Sequence, residues 1–237
     1  MPGEVALIVG VGPGLGSALA RRFARARMDI AVAARNVDKL MALCQELQAL
    51  GLKARAYACD ATDERAVLRL FDDVRRDLGA PRLVSFNAGA FMRAGVLDTP
   101  VADFERCWRV GCLGGFIVGR EAARVMLQQG GGTIIFTGAT ASLRGGAMFQ
   151  NLAVGKFGLR ALAQSMAREL QPRGIHVAHV IIDGQIKGDR PGYRAEQCGA
   201  DALLEPDAIA ETYYQLHAQP RSAWTLEVDL RPWVEKF

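Results

Sequence analysis

Short apolar runs alternate with longer segments in which apolar residues recur every three or four positions, along the whole chain. The runs predict strands at Val5–Val9, Ile30–Ala33, Ala54–Ala58, Leu83–Phe86, Thr133–Thr137, Val177–Ile182 and Thr225–Val228. The periodic segments predict helices at Leu15–Ala26, Val37–Leu50, Asp63–Leu78, Val101–Gln129, Leu152–Gln171 and Asp207–Ala218. Strand–helix alternation of this kind predicts an α/β fold, a parallel sheet covered by helices on both faces. The unbroken apolar character of Val177–Ile182 suits a strand buried on both sides. Gly130-Gly131-Gly132 reads as a turn and not as a linker, so residues 1–237 are expected to form one domain.

Several helix ends are readable. Thr99 before Pro100 predicts a cap followed by proline in the first turn. Thr62 before Asp63-Glu64 predicts another start, with acids where the helix dipole favours them. Pro206-Asp207 opens the last helix, and Gly51 and Gly174 stand where helices should stop.

Composition narrows the function classes. A chain of 237 residues that is 50% hydrophobic can bury a core of its own. No apolar run reaches membrane-spanning length, and no basic region precedes the first one, which reads as a strand and not a signal peptide. The five cysteines have no metal-ligand or redox spacing, and their odd count fits a reducing cytoplasm. The net charge of +4 is dispersed, with Arg21, Arg22, Arg25 and Arg27 along one helix. Such a pattern reads as a solvated face, so no nucleic-acid partner is expected.

The densest chemical signal follows the first strand. Gly10, Gly12, Pro13, Gly14, Leu15 and Gly16 join that strand to the first helix. Glycines there let backbone approach a pyrophosphate, and the helix start offers free N–H groups and a positive dipole end. The second strand ends in Ala34-Arg35, with no carboxylate to bind a ribose 2′-hydroxyl. Arg35 is suited to a 2′-phosphate, so NADP is expected in preference to NAD.

Taken with Asp60-Ala61-Thr62-Asp63, Asn87-Ala88-Gly89, Lys156 and Ile182-Asp183-Gly184-Gln185-Ile186, this loop resembles the short-chain dehydrogenase/reductase family over nearly the whole chain. The resemblance implies a Rossmann-like, doubly wound sheet of about seven strands in the order 3-2-1-4-5-6-7. It implies a homodimer or homotetramer built through the long helices Val101–Gln129 and Leu152–Gln171. It places Asp60 and Ala61 at the adenine and Asn87, Ala88 and Gly89 along the cofactor. Lys156 would lie at the nicotinamide ribose, and Gly184 and Ile186 beside the nicotinamide.

The family's catalytic set is Asn, Ser, Tyr and Lys. Matching on Lys156 puts Leu152 at the tyrosine, Ala139 at the serine and Gly111 at the asparagine. Asp183 stands where a proline is common, and Gly188 where a threonine often contacts the carboxamide. Leucine transfers no proton and alanine offers no side-chain hydrogen bond. Loss of the general acid alone typically costs about 10²–10⁴-fold in rate. Replacement donors in the sequence are Thr137, Thr140, Asn151, Tyr193 and Lys156 itself, each with a plainer structural reading.

Two function classes therefore stand: an NADP(H)-dependent oxidoreductase with a degenerate catalytic set and an unknown small-molecule substrate, or a non-catalytic NADP(H)-binding sensor or partner subunit. His176 and His179 read as sharing one strand face, without a third ligand to make a metal site. Trp224, Trp233 and Phe237 read as a subunit seal.

Overall fold

A computed structural model describes residues 3–188, 199 and 201–235. The strands form one sheet in the order β3-β2-β1-β4-β5-β6-β7, with every pairing parallel. They run Val5–Val9 (β1), Asp29–Ala34 (β2), Ala54–Ala58 (β3), Pro81–Phe86 (β4), Gly132–Thr137 (β5), Ile175–Ile182 (β6) and Glu227–Leu230 (β7). The helices are Leu15–Arg25 (α1), Met41–Gln48 (α2), Glu64–Asp77 (α3), Val101–Trp108 (α4), Gly114–Gln128 (α5), Gln150–Leu170 (α6) and Pro206–Ala218 (α7).

Alternation along the strands builds two cores. Val5, Leu7 and Val9 point to one face, with Phe71 of α3, Ile117 of α5 and Leu159 of α6. Ala6 and Ile8 point to the other, with Leu19 of α1, Leu43 of α2 and Tyr213 of α7. Each buried leucine, isoleucine or phenylalanine side chain contributes about 1.5–3 kcal/mol. All of β6 is buried, as its unbroken apolar run predicted.

The departures from the sequence reading are local. The single helix expected over Val101–Gln129 is α4 and α5 joined through a π-helical turn, Arg109–Leu113. A π-turn inserts one residue, which periodicity does not register. Thr62 does not cap α3; Asp63 does, accepting from the Arg65 and Ala66 amides at 2.9 and 3.3 Å. Thr99 does not cap α4 either, because its hydroxyl donates to Gly95 O at 2.7 Å and Pro100 occupies the cap position. The last strand begins at Glu227 and not Thr225. Thr225 is engaged by side chains instead: its N–H donates to Gln219 Oε1 and its carbonyl meets His176 Nε2, both at 2.8 Å.

Candidate active site

The carboxyl ends of β1, β2, β3 and β4 converge on a cavity of about 290 Å³ lined by Gly12, Arg35, Asp60, Asn87 and Gly89 among others. Gly10 makes the convergence possible. It adopts φ +92°, and a Cβ there would stand 2.3 Å from Ala88 N. Asn87 Nδ2 donates to Gly10 O at 2.9 Å, locking the β4 end to the glycine loop. Gly16 brings α1 equally close, since its Cβ would lie 2.8 Å from Val11 Cα. Gly12 and Gly14, by contrast, face open space. Ser17 Oγ donates to Gly12 O at 2.7 Å and shapes the loop from within the helix, a role unread in the sequence.

These features fit a dinucleotide. Gly14 caps α1 without a side-chain bond and no acid occupies the first turn; the Ser17 amide turns back to Gly12 O and Gly14 O at 3.2 and 3.1 Å, which leaves the Leu15 and Gly16 amides for an anion. Pro13 brings no amide, and the Leu15 side chain packs into the core, leaving its backbone as its contribution. Arg35 is exposed at the end of β2. Asp60 ends β3 and accepts from the amide and hydroxyl of Thr62 at 2.9 and 2.8 Å. The Thr62 amide, with the Arg35 charge adding to it, holds the Asp60 carboxyl below the usual range. Ala61 and Ala88 line the same cavity, as does Cys59, whose thiol burial pushes up to about 11.

The reacting end lies beyond β4, β5 and β6. Lys156 is no surface lysine: it is buried, and Nζ donates to Thr137 O at 2.6 Å. Its amine is 4.0 Å from where a Cβ on Gly89 would stand, which joins it to the cavity wall. Burial drives its pKa down to about 8. Gly111, in the π-turn, faces α6, where a Cβ would meet Gly155 Cα at 3.7 Å. Two facing glycines thus close the helices on each other.

The replacement donors are engaged elsewhere. Thr137 Oγ1 pairs with Tyr213 OH at 2.8 Å, within the opposite core. Thr140 Oγ1 donates to the buried Asp183 at 2.6 Å. The Ala139 amide donates to Ser142 Oγ at 3.1 Å. Asn151, buried in the first turn of α6, donates from Nδ2 to Met92 O at 2.9 Å and is no exposed cap. Tyr193 lies outside the described residues. Among the described members of that group, Lys156 alone can give up a proton it has to spare: an ammonium has three and one is committed, whereas the second N–H of the Asn151 amide is not a transferable proton. Gly184 has φ +148° and packs against Pro232, while Ile186 bridges to Leu204.

A polar chain behind the site, buried at Ser142 and His179 and half-buried at Glu227 and Arg160, was not legible in the sequence. Ser142 Oγ meets His179 Nε2 at 3.5 Å, and His179 Nδ1 meets Glu227 Oε2 at 2.9 Å. Arg160 donates to both Glu227 oxygens at 2.7 Å. A Cβ on Gly138 would stand 2.4 Å from His179 Nε2, so the loop after β5 rests directly on this histidine. Burial lowers the His179 pKa against the opposing pull of Glu227. His176 and His179 do not share a face. They are three residues apart in a strand of period two, and His176 instead stacks on Trp224 at 4.9 Å. Trp224 is half-buried against that histidine; Trp233 is exposed, and Phe237 lies outside the described residues. No group of three or more His, Cys, Asp or Glu among the described residues forms a metal site.

Known proteins share this fold. The family model described as short chain dehydrogenase matches residues 4–189. A short-chain dehydrogenase/reductase of Armillaria gallica is 33% identical over 188 residues, covering 78% of this chain and 72% of its own. The crystal structure of a short-chain dehydrogenase from Rhodopseudomonas palustris superposes with a TM-score of 0.85 at 39% identity, covering 98% of this chain and 100% of that one. A metagenomic short-chain oxidoreductase in complex with NADP superposes with a TM-score of 0.85 at 26% identity, covering 99% of each chain.

Proposed function

The chain belongs to the short-chain dehydrogenase family, and on that premise we propose that it is an NADP(H)-dependent oxidoreductase whose catalytic set has contracted to Lys156. The observation that carries the reading is the buried Lys156 amine directly behind Gly89 of the glycine-loop cavity, the one transferable proton among the described replacement candidates that is not already shared with a partner.

In this reading the amides opening α1 hold the pyrophosphate, Asp60 and Ala61 border the adenine, and Arg35 pairs with the 2′-phosphate. Asn87, Ala88 and Gly89 line the middle, and Gly184 and Ile186 the nicotinamide end. NADPH held there would supply the hydride for a carbonyl carbon. The chain must then supply one proton to the carbonyl oxygen. Lys156 gives it as the ammonium and is reprotonated from solvent. A lysine with its pKa lowered to about 8 is matched to that task near neutral pH. The NADP-bound metagenomic relative supports the cofactor choice, and Arg35 with no acid at Ala34 supports it independently.

The assembly belongs to the same proposal. Trp108, Phe116, Val154 and Phe157 are exposed on α4, α5 and α6. That apolar face supports a homodimer or homotetramer through these helices. No described helix is long and apolar enough to cross a membrane. The free thiols Cys44, Cys59, Cys107 and Cys112 suit a reducing cytoplasm.

The test is an NADPH-oxidation screen over carbonyl and enoyl compounds, with Lys156→Ala and Leu152→Tyr run beside the parent. Turnover by the parent that disappears in Lys156→Ala is expected. Leu152→Tyr should raise ketone turnover by restoring a phenol beside Lys156. Tight NADPH binding with no oxidation by any of the three would replace the enzyme reading with that of a cofactor sensor or partner subunit.

A further inference from the structure

The mouth of the reacting end is framed by two loops that are fastened to each other. Gln150 Nε2 donates to Ala94 O at 2.9 Å and to Thr99 Oγ1 at 2.7 Å, Asn151 donates to Met92 O, and the Ala94 amide reaches Met148 O at 3.4 Å. These bonds tie the segment after β4 to the segment leading into α6. Across the join, Phe91 and Phe149 stack with centroids 4.9 Å apart and planes within 20°. Phe91, Leu143 and Met148 remain substantially exposed. A rim held this firmly leaves little to be ordered when a ligand arrives.

Each loop also carries an arginine. Arg93 lies with Cζ 5.9 Å from the Phe149 centroid and has no ion-pair partner among the described residues. Arg144 is half exposed and stands 3.9 Å from Asp183 Oδ1, an oxygen that already accepts from Thr140. Asp183 is shared further with Arg231, at 3.4 Å. Asp98, the one carboxylate between residues 90 and 99, turns back on its own loop, with Oδ2 3.1 Å from where a Cβ on Gly95 would stand. The segment from Thr140 to Gln150 contains no acid. One cationic fork beside the exposed aromatic pair, and a second on the adjoining loop, suit a ligand that is apolar at one end and carboxylate at the other.

We propose that this mouth binds a carbonyl substrate that joins an aromatic or apolar body to a carboxylate, with Phe91, Met148 and Phe149 taking the body and Arg93 and Arg144 the anion. The proposal rests on the oxidoreductase reading above for the carbonyl, but its recognition claim can fail alone.

The experiment is calorimetric titration of the full chain with para-acetylbenzoate, phenylpyruvate and benzoylformate, each beside its methyl ester, with and without NADPH. The acids should bind about tenfold tighter than the esters, the factor expected from a charge-assisted hydrogen bond. The preference should weaken with added salt. Arg93→Gln and Arg144→Gln should each lower acid affinity several-fold and leave ester affinity unchanged, while Arg173→Gln, an exposed arginine at the opposite sheet end, should change neither. Circular dichroism confirms that the variants fold. Equal affinity of acids and esters across the panel overturns the proposal, as does failure of the acids to bind at millimolar concentration or insensitivity to both mouth substitutions. Acid selectivity without NADPH binding would sustain it and remove the cofactor reading; NADPH binding without acid selectivity would do the reverse.

Discussion

Lys156 should make the stability of this protein depend on pH in a way that one substitution isolates. Its folded pKa is about 8, below its ordinary value of 10.5, because burial penalises the ammonium. The unfolded chain therefore holds the proton more tightly. Below pH 8 both states carry it, and the full desolvation penalty weighs on the folded state. Between pH 8 and 10.5 the folded state has released the proton and the unfolded state has not, so stability rises with pH and the penalty is relieved. A shift from 10.5 to about 8 corresponds to about 3 kcal/mol at 1.36 kcal/mol per unit. Lys156→Met keeps the chain length and removes the charge. Groups that titrate in both proteins, such as the Cys59 thiol, cancel in the difference. Urea unfolding of both proteins at intervals from pH 7 to 10.5 should show the parent gaining about 3 kcal/mol relative to Lys156→Met. A difference that stays constant across that range would refute the reasoning, because it would give Lys156 an ordinary pKa in the fold. The same titration predicts that turnover relying on the ammonium falls above pH 8.

Two further outcomes follow from contacts in the loops. Gly10→Ala forces a Cβ to 2.3 Å from Ala88 N at φ +92°, and should destabilise by about 3 kcal/mol, read as a fall in Tm of roughly 6–12 °C; a fall under about 2 °C would mean that the β1–β4 join yields easily. Glu227→Gln leaves Arg160 and His179 without their shared carboxylate and should cost about 1–3 kcal/mol in urea unfolding at pH 7; a change below about 0.5 kcal/mol would show that the polar chain does not hold the loop after β5.

The sheet was legible because each strand is a short apolar run and each helix carries its own period. The glycine loop was legible because it sits at the one turn where a strand must pass within backbone contact of Ala88, which Gly10 alone permits. The caps were harder. Thr62 and Asp63 are adjacent and both are good cap residues, and the choice fell to Asp63 because Asp60 had already engaged Thr62. The chain from Ser142 through His179 and Glu227 to Arg160 was hidden for a stronger reason. Its members lie on a loop, two strands and a helix, and only the pairing of β6 with β7 brings Glu227 opposite His179. The histidine pair was misread because a spacing of three reverses the side of a strand. Leu152 and Ala139 could be set against the family's tyrosine and serine from the spacing to Lys156. That Thr137, Thr140 and Asn151 are bonded to Tyr213, Asp183 and Met92 became visible only with the fold in place.

Calorimetric titration of the parent and Arg35→Ala with NADPH and NADH decides whether this fold binds a phosphorylated dinucleotide through its glycine loop and Arg35. One NADPH should bind per chain, with NADH bound at least about tenfold more weakly, and the preference should vanish in Arg35→Ala as the charge-assisted bond to the 2′-phosphate is lost. Equal affinities in the parent, or no binding of either dinucleotide, would contradict this.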